Sequence, residues 1–166
     1  MAIRVKIDTS GIDEFVGEVG EWEARIKDMR PALAGPAERF KSLVDESFRK
    51  SKSPDGTAWK PLSPAYAKRK AKKGWSPKPL IRSGARGLQG QTVVQPQKRG
   101  LGFGWGPLTY YGEYHQFPRD ESRARRFLPF YGAPDDPVLM SGGKIDKAMN
   151  TLRNAVVAWI FRGERG

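Results

Sequence analysis

Cysteine is absent from the 166 residues, which removes disulfides, thiolate metal sites and cysteine nucleophiles at once. Histidine is nearly absent too. His115 stands alone, with no carboxylate pair at a defined spacing and no nucleophile on a recognisable elbow. A packed, hydrogen-bonded histidine is the simpler reading than a metal ligand or a general base. No apolar run approaches the roughly 18 residues that cross a bilayer, and the opening Met-Ala-Ile-Arg-Val-Lys-Ile is not a signal peptide. A soluble chain with an intracellular or intravirion life is the expectation. The remaining hints of chemistry are weak. Asp135-Asp136 lies in a Pro/Gly loop, where adjacent carboxylates are usually solvated. The G-x-G-x-G of Gly100–Gly106 is threaded with strand aromatics and opens no helix, so it is a poor nucleotide loop. The sequence therefore argues for no enzyme, no metal and no cofactor.

What the chain does have is positive charge, unevenly placed. Residues 1–48 carry 7 Lys/Arg against 10 Asp/Glu, residues 49–99 carry 14 against Asp55 alone, and residues 100–166 carry 9 against 7. Nearly all of the net +12 sits in the middle third. Solvated faces explain single lysines, but a block of this density reads as a surface for an acidic partner.

The stretch Ser53-Pro-Asp-Gly-Thr-Ala-Trp-Lys-Pro-Leu62 divides the chain. Pro54-Asp55-Gly56 is turn chemistry, with Pro fixing φ, Asp bonding its own backbone and Gly accepting φ > 0. Trp59 follows, and an exposed indole forfeits about 2 kcal/mol of burial, so it should be pinned in a core. Ser63-Pro64 reads as an N-cap with Pro at the first helical position. The stretch is an ordered connector.

Before it, Ala2–Ile7 alternates as a half-buried strand. Ser10 with Asp13 forms an acidic capping box. Ile12, Phe15, Val16, Val19, Trp22, Ile26 and Met29 then fall at helical spacing as far as Arg30. Pro31 breaks that helix. A second helix follows to about Lys52, with Phe40, Leu43, Val44 and Phe48 on its apolar face and Gly35-Pro36 either starting or kinking it. The two helices are expected to pack as an antiparallel hairpin.

After the connector comes a short basic helix, Pro64–Lys73, then a loop over 74–79 that would tolerate motion. A turn of helix near Leu88 precedes a strand through Val93 and Val94, and Gln97–Gly100 is a turn. In the next strand Leu101, Phe103 and Trp105 alternate with Gly102, Gly104 and Gly106. The bare glycine face should admit a backbone or helix at close range. Tyr110–Phe117 reads as a short helix or elbow, Arg119–Arg126 as a mobile polar loop, Phe127–Tyr131 as an apolar run and Gly132–Gly143 as another loop. A last helix, from about Gly143 to Phe161, carries Ile145, Met149, Leu152, Val156, Trp159 and Ile160 on one face. These elements make one α+β domain over 1–166, a small antiparallel sheet edged by the N-terminal strand against two or three amphipathic helices. Trp59, Phe103, Trp105, Phe127 and Trp159 are expected mostly buried.

The order of the pieces is itself informative. Phe48 precedes Pro54-Asp55-Gly56-x-x-Trp59-x-Pro61-Leu62, the Lys-rich helix, and Leu80-Ile81-Arg82-Ser83-Gly84. Tyr111-Gly112-x-x-His115-Gln116-Phe117 and Arg125-Arg126-Phe127-Leu128 follow. This resembles the phage virion morphogenesis family, the tail-completion proteins of Mu-like and P2-like tailed phages. Gly112, where a small Ala is commoner, and Arg126, where Pro is usual, depart from the pattern, as does the lack of a Gly near Pro118. The resemblance implies a non-enzymatic structural protein at the head–tail junction. It would form a homo-oligomeric ring in the virion neck, between connector or adaptor and tail terminator or tail tube. Assembly in the host cytoplasm, no membrane and at most non-specific contact with packaged DNA go with it.

Contact candidates are Lys68, Arg69, Lys70, Lys72 and Lys73 with Trp75 beside them, Arg123 and Arg125 on the polar loop, and Glu14, Glu18 and Glu21 on the first helix. Pro54, Asp55, Gly56, Trp59, Ser83, Gly84, Tyr111, His115, Gln116 and Phe127 are the motif residues. The alternative function is sequence-independent nucleic-acid binding by the basic block 49–99, with Trp59 and Trp75 as stacking platforms.

Overall fold

The computed structural model describes residues 10–81 and 87–166, with the side chains of Ser10 and Asp13 outside that description. The N-terminal strand, the capping box and Arg82-Ser83-Gly84 therefore lie beyond what it tests. Among the described residues six α-helices and two small antiparallel hairpins make an α+β fold: α1 (Ser10–Lys27), α2 (Arg30–Lys50), α3 (Pro64–Lys72), α4 (Leu88–Gln91), β1 (Thr92–Gln97), β2 (Gly100–Trp105), α5 (Gly112–Gln116), β3 (Phe130–Gly132), β4 (Pro137–Leu139) and α6 (Gly143–Arg162).

α1 ends three residues before the expected Arg30. Asp28 accepts from the backbone N–H of Arg30 at 3.1 Å and grips its guanidinium, and Pro31 sits in the first turn of α2, where its missing N–H costs nothing. That pairing, chiefly the Arg30 hydrogen bond, holds the Asp28 carboxyl down at about 2. α2 passes straight through Pro36, which is buried. It closes at Ser51, in the left-handed region at φ 53.

The expected hairpin of the first two helices gives way to a different pairing. α2 packs chiefly against α6 and β1, and the main contact of α1 is with the far end of α6. Trp22 stacks edge-on against Phe161 at 5.3 Å. Trp159 Nε1 donates to the Arg25 carbonyl, and Arg25 Nη1 donates to that of Ile160, each at 3.0 Å. The physical reason is area: α6 offers α2 a full-length apolar face with Ile145 and Ala148 fully buried, whereas α1 is turned away after Asp28.

β1 and β2 pair from Thr92↔Trp105 to Gln97↔Gly100, as the turn residues predict. The helix layer covers one face of this hairpin, where Phe103 meets Phe40 at 5.5 Å. Beside the glycine face the nearest atoms belong to the side chains of Gln97 at Gly102, Val93 at Gly104 and Gln91, the last residue of α4, at Gly106, and Gly106 N–H donates to the Gln91 carbonyl at 3.1 Å. The expected loop over 132–143 contains a second hairpin, in which Phe130 pairs with Leu139.

The core centres on the connector. Trp59, Phe48, Phe127, Val44, Leu88 and Leu128 are buried together. Trp59 packs on Phe48 (5.6 Å), Phe48 on Phe127 (5.4 Å), and Phe127 on Trp105 (5.5 Å). Of the five expected aromatics, Trp59 and Phe127 are buried, while Phe103, Trp105 and Trp159 are half-buried.

Candidate interaction surfaces

The motif residues other than Ser83 and Gly84, which lie outside the described residues, gather around Trp59 and Gln116. In the connector, Ser53 N–H donates to Thr57 O (2.7 Å), Gly56 N–H to Ser53 O (2.8 Å), and Thr57 N–H to Asp55 Oδ1 (2.9 Å). Gly56 sits at φ +100 beside Pro54, a conformation that a side chain would strain. This closed turn delivers Trp59 to the core, and its Nε1 donates to the Arg126 carbonyl at 2.9 Å. Arg126 fills the position where Pro is usual; its guanidinium pairs with Glu121 while its buried Nε finds no partner among the described residues.

Gln116 is the second anchor. It is fully buried. Its Oε1 accepts from the backbone N–H groups of Phe127 (3.0 Å) and Leu128 (2.9 Å), and its Nε2 donates to the Phe130 carbonyl at 2.7 Å. One side chain thus satisfies backbone groups along an apolar run that no long strand covers. Gly112 lies a turn earlier, where an added Cβ would stand 2.9 Å from Leu88 Cδ1 and 3.2 Å from the Trp105 ring. The departure to glycine there lets Trp105 sit close.

His115 is half-buried, edge-on to Tyr111 at 6.5 Å. Burial, helped by the Arg125 charge, lowers its pKa to about 4, so it is neutral at pH 7. It lines a cleft of about 550 Å³ with Leu62, Tyr66, Lys70, Trp75, Tyr111 and Arg125. No group of three or more His, Asp or Glu among the described residues is placed to hold a metal.

The expected basic contact surface divides in two. Lys68, Arg69, Lys72 and Lys73 are exposed on or just after α3, with Arg69 over Tyr66 at 4.8 Å and Lys73 over the half-buried Trp75 at 5.0 Å. Lys70 is instead buried, donating to the carbonyls of Lys78 (2.7 Å) and Ile81 (2.6 Å). Burial lowers its pKa, and its work is to staple loop 74–81 to α3 rather than to meet a partner. Arg125 is likewise half-buried, with Nε donating to the Lys60 carbonyl at 2.9 Å. It ties the supposedly mobile loop 119–126 to the connector. Arg123 is exposed and paired with Asp120 at 3.2 Å. Trp59, being in the core, is withdrawn from any stacking role. On α1, Glu14 and Glu18 are exposed, and Glu21 is exposed but paired with Arg25 at 2.6 Å. Nothing in the local sequence distinguishes Lys70 from its neighbours, and a lone Gln116 gives no periodic signal.

A family model, that of the phage virion morphogenesis family, matches residues 7–156, nearly the whole chain. The chain belongs to that family. It is therefore a protein of phage virion assembly. No curated protein and no solved structure matches this family member significantly. No helix among the described residues is long and apolar enough to cross a membrane.

Proposed function

We infer that this virion morphogenesis protein completes the tail, joining it to the head as a homo-oligomeric ring in the neck between connector or adaptor and tail terminator or tail tube. One observation carries the reading. The described motif residues gather around Trp59 and Gln116, which leaves charge-segregated outer faces: exposed Glu14 and Glu18 on α1, exposed Lys68, Arg69 and Lys72 on α3. A head-to-tail ring needs two different patches that fit each other. Opposite charge on the two sets steers and registers such an encounter. The work is done by surface fit, with no bond made or broken.

Electron microscopy of assembled particles tests the placement. The expected result is density for this chain at the head–tail junction. Particles that lack the chain yet carry firmly attached, infectious tails would overturn the reading. The charge pairing is tested separately: Lys68→Glu/Arg69→Glu/Lys72→Glu should impair subunit association, and normal rings from that variant would remove it.

The exposed cations beside Trp75 favour one second reading, non-specific binding of nucleic acid along the basic block. Salt titration of DNA binding separates the two. Negligible affinity at physiological salt is expected from a tail-completion protein, whereas tight binding with a steep salt slope supports a nucleic-acid role. A His115→Ala variant that folds and supports normal phage yield would leave no enzymatic reading.

A further inference from the structure

Helix α1 is amphipathic in sequence but hardly covered in the fold. Ile12, Phe15, Val16 and Val19 are 59%, 58%, 62% and 41% exposed, and Ile26 on the same stripe is 49% exposed. Their spacing of three and four residues puts them on one side of the helix. Trp22 and Arg25 hold the C-terminal part to the end of α6, while residues 11, 12 and 14–21 are exposed. A contiguous apolar face of this kind on a water-soluble domain marks an interaction site.

The same chain carries an apolar groove of about 330 Å³ between α2, the two hairpins and α6. Its walls include Leu33, Phe40, Leu101, Phe103, Leu139 and Leu152, with Arg99 as its one charged lining residue. Met29, between α1 and α2, is also among its lining residues. Anchors at i, i+3, i+4 and i+7 are how an amphipathic helix fills an apolar groove.

The geometry points to the occupant: the N-terminal half of α1 from a second copy of the chain lays Ile12, Phe15, Val16 and Val19 into this groove. Charge agrees at long range. Residues 10–21 carry Asp13, Glu14, Glu18 and Glu21 and no basic residue, while the rest of the chain holds the whole positive excess of a protein at net +12, so a second copy attracts this segment although its carboxylates face away from the groove. Helix and groove are different patches, so each copy offers one of each and the contact propagates head to tail. The apolar stripe lies opposite Glu14, Glu18 and Glu21 on the helix, which leaves that acidic face outward. This inference rests on the proposed homo-oligomer and names its joint.

The cysteine-free chain makes the joint directly testable. Val16→Cys and Leu139→Cys are made in separate copies of the full chain, both at exposed positions, and mixed under mild oxidation after circular dichroism confirms folding. A disulfide-linked heterodimer is expected. Phe15→Asp/Val16→Asp should abolish self-association, as should Leu139→Asp, and an equal mixture of the two should form heterodimers and nothing larger. Only one intact helix and one intact groove can then meet.

Failure of Val16→Cys to link to Leu139→Cys would overturn the inference. So would Val16→Cys copies linking to each other instead, or a Phe15→Asp/Val16→Asp variant that assembles like the parent. A chain that stays monomeric at all concentrations would overturn it as well. Particle microscopy reads the neck assignment independently, so rings seen in virions without the cross-link would sink the joint and leave the neck assignment standing.

Discussion

Phe48 and Phe15 both lie on the apolar stripe of an amphipathic helix. Phe48 has none of its surface exposed, and Phe15 has 58% exposed. Helix periodicity treats the two alike. What differs is the company: Phe48 on α2 is enclosed by Trp59 and Phe127, brought in from the connector and from the run that Gln116 anchors. Among the described aromatic rings Phe15 meets Trp22, on its own helix, at 6.4 Å. An apolar stripe states that burial is needed, and the tertiary arrangement decides whether the chain itself provides it. In an assembly protein an unmet need is a natural place for the next subunit.

The sharpest way to break this comparison is to cut into the enclosed side. Phe127→Ala should destabilise the monomer by about 3–5 kcal/mol, the usual cost of an emptied aromatic site, read by chemical denaturation. Loss of less than about 1 kcal/mol would mean that the knot is looser than the stacked rings imply.

Gln116→Leu keeps the volume but strands two backbone N–H groups and a carbonyl. Each stranded group costs about 1–3 kcal/mol, so the variant should melt well below the parent although it is more apolar. An unchanged melting temperature would dismiss Gln116 as an anchor.

His115 gives a pH-dependent handle on the same region. Its folded pKa of about 4 lies below the ordinary 6.5, so between those values the unfolded chain binds the extra proton. Stability should then fall as pH drops from 6.5 toward 4. His115→Gln should flatten that slope in melting curves, and parallel curves for the two proteins would refute it.

Glu46 links α2 to α6 through Lys144 (2.6 Å) and also meets Lys50 (2.5 Å). The hydrogen bonds from Lys144 and Lys50 lower its pKa to about 2. The group is near the surface, so solvent screening limits Glu46→Gln to a loss of under about 1 kcal/mol at neutral pH. What the ion pair does contribute is present above pH 4.5 and lost as pH falls toward 2.

The smallest effect belongs to the exposed side. Phe15→Asp/Val16→Asp should change monomer stability by no more than about 0.5 kcal/mol, measured at a concentration where the parent is dissociated. A large loss would show that α1 is part of the monomer's core after all.

Much of this arrangement was legible in the residues. Pro54-Asp55-Gly56 specifies a turn wherever it occurs, because φ preferences and the Asp side chain act within a few residues. Ser63 accepts from Tyr66 N–H at 3.4 Å as the N-cap of α3, and the Lys98-Arg99 turn joins β1 to β2. These are local effects, and local sequence carries them. The run of lysines in α3 was legible as charge but not as geometry. Lys70 turns inward and Lys68 outward because carbonyls of Lys78 and Ile81, eight and eleven residues away, happen to converge on one of them.

By itself the sequence determined the helices and the first hairpin, the ordered connector, the segregation of charge and the family. Each of these depends on periodicity, turn chemistry or residue order. Only the tertiary structure decided that α2 pairs with α6 instead of α1, that Arg125 and Lys70 serve the scaffold, and that the α1 stripe is left bare. Those outcomes depend on which distant surfaces bury the most area together, and that competition among long-range contacts is not written in any one stretch of the chain.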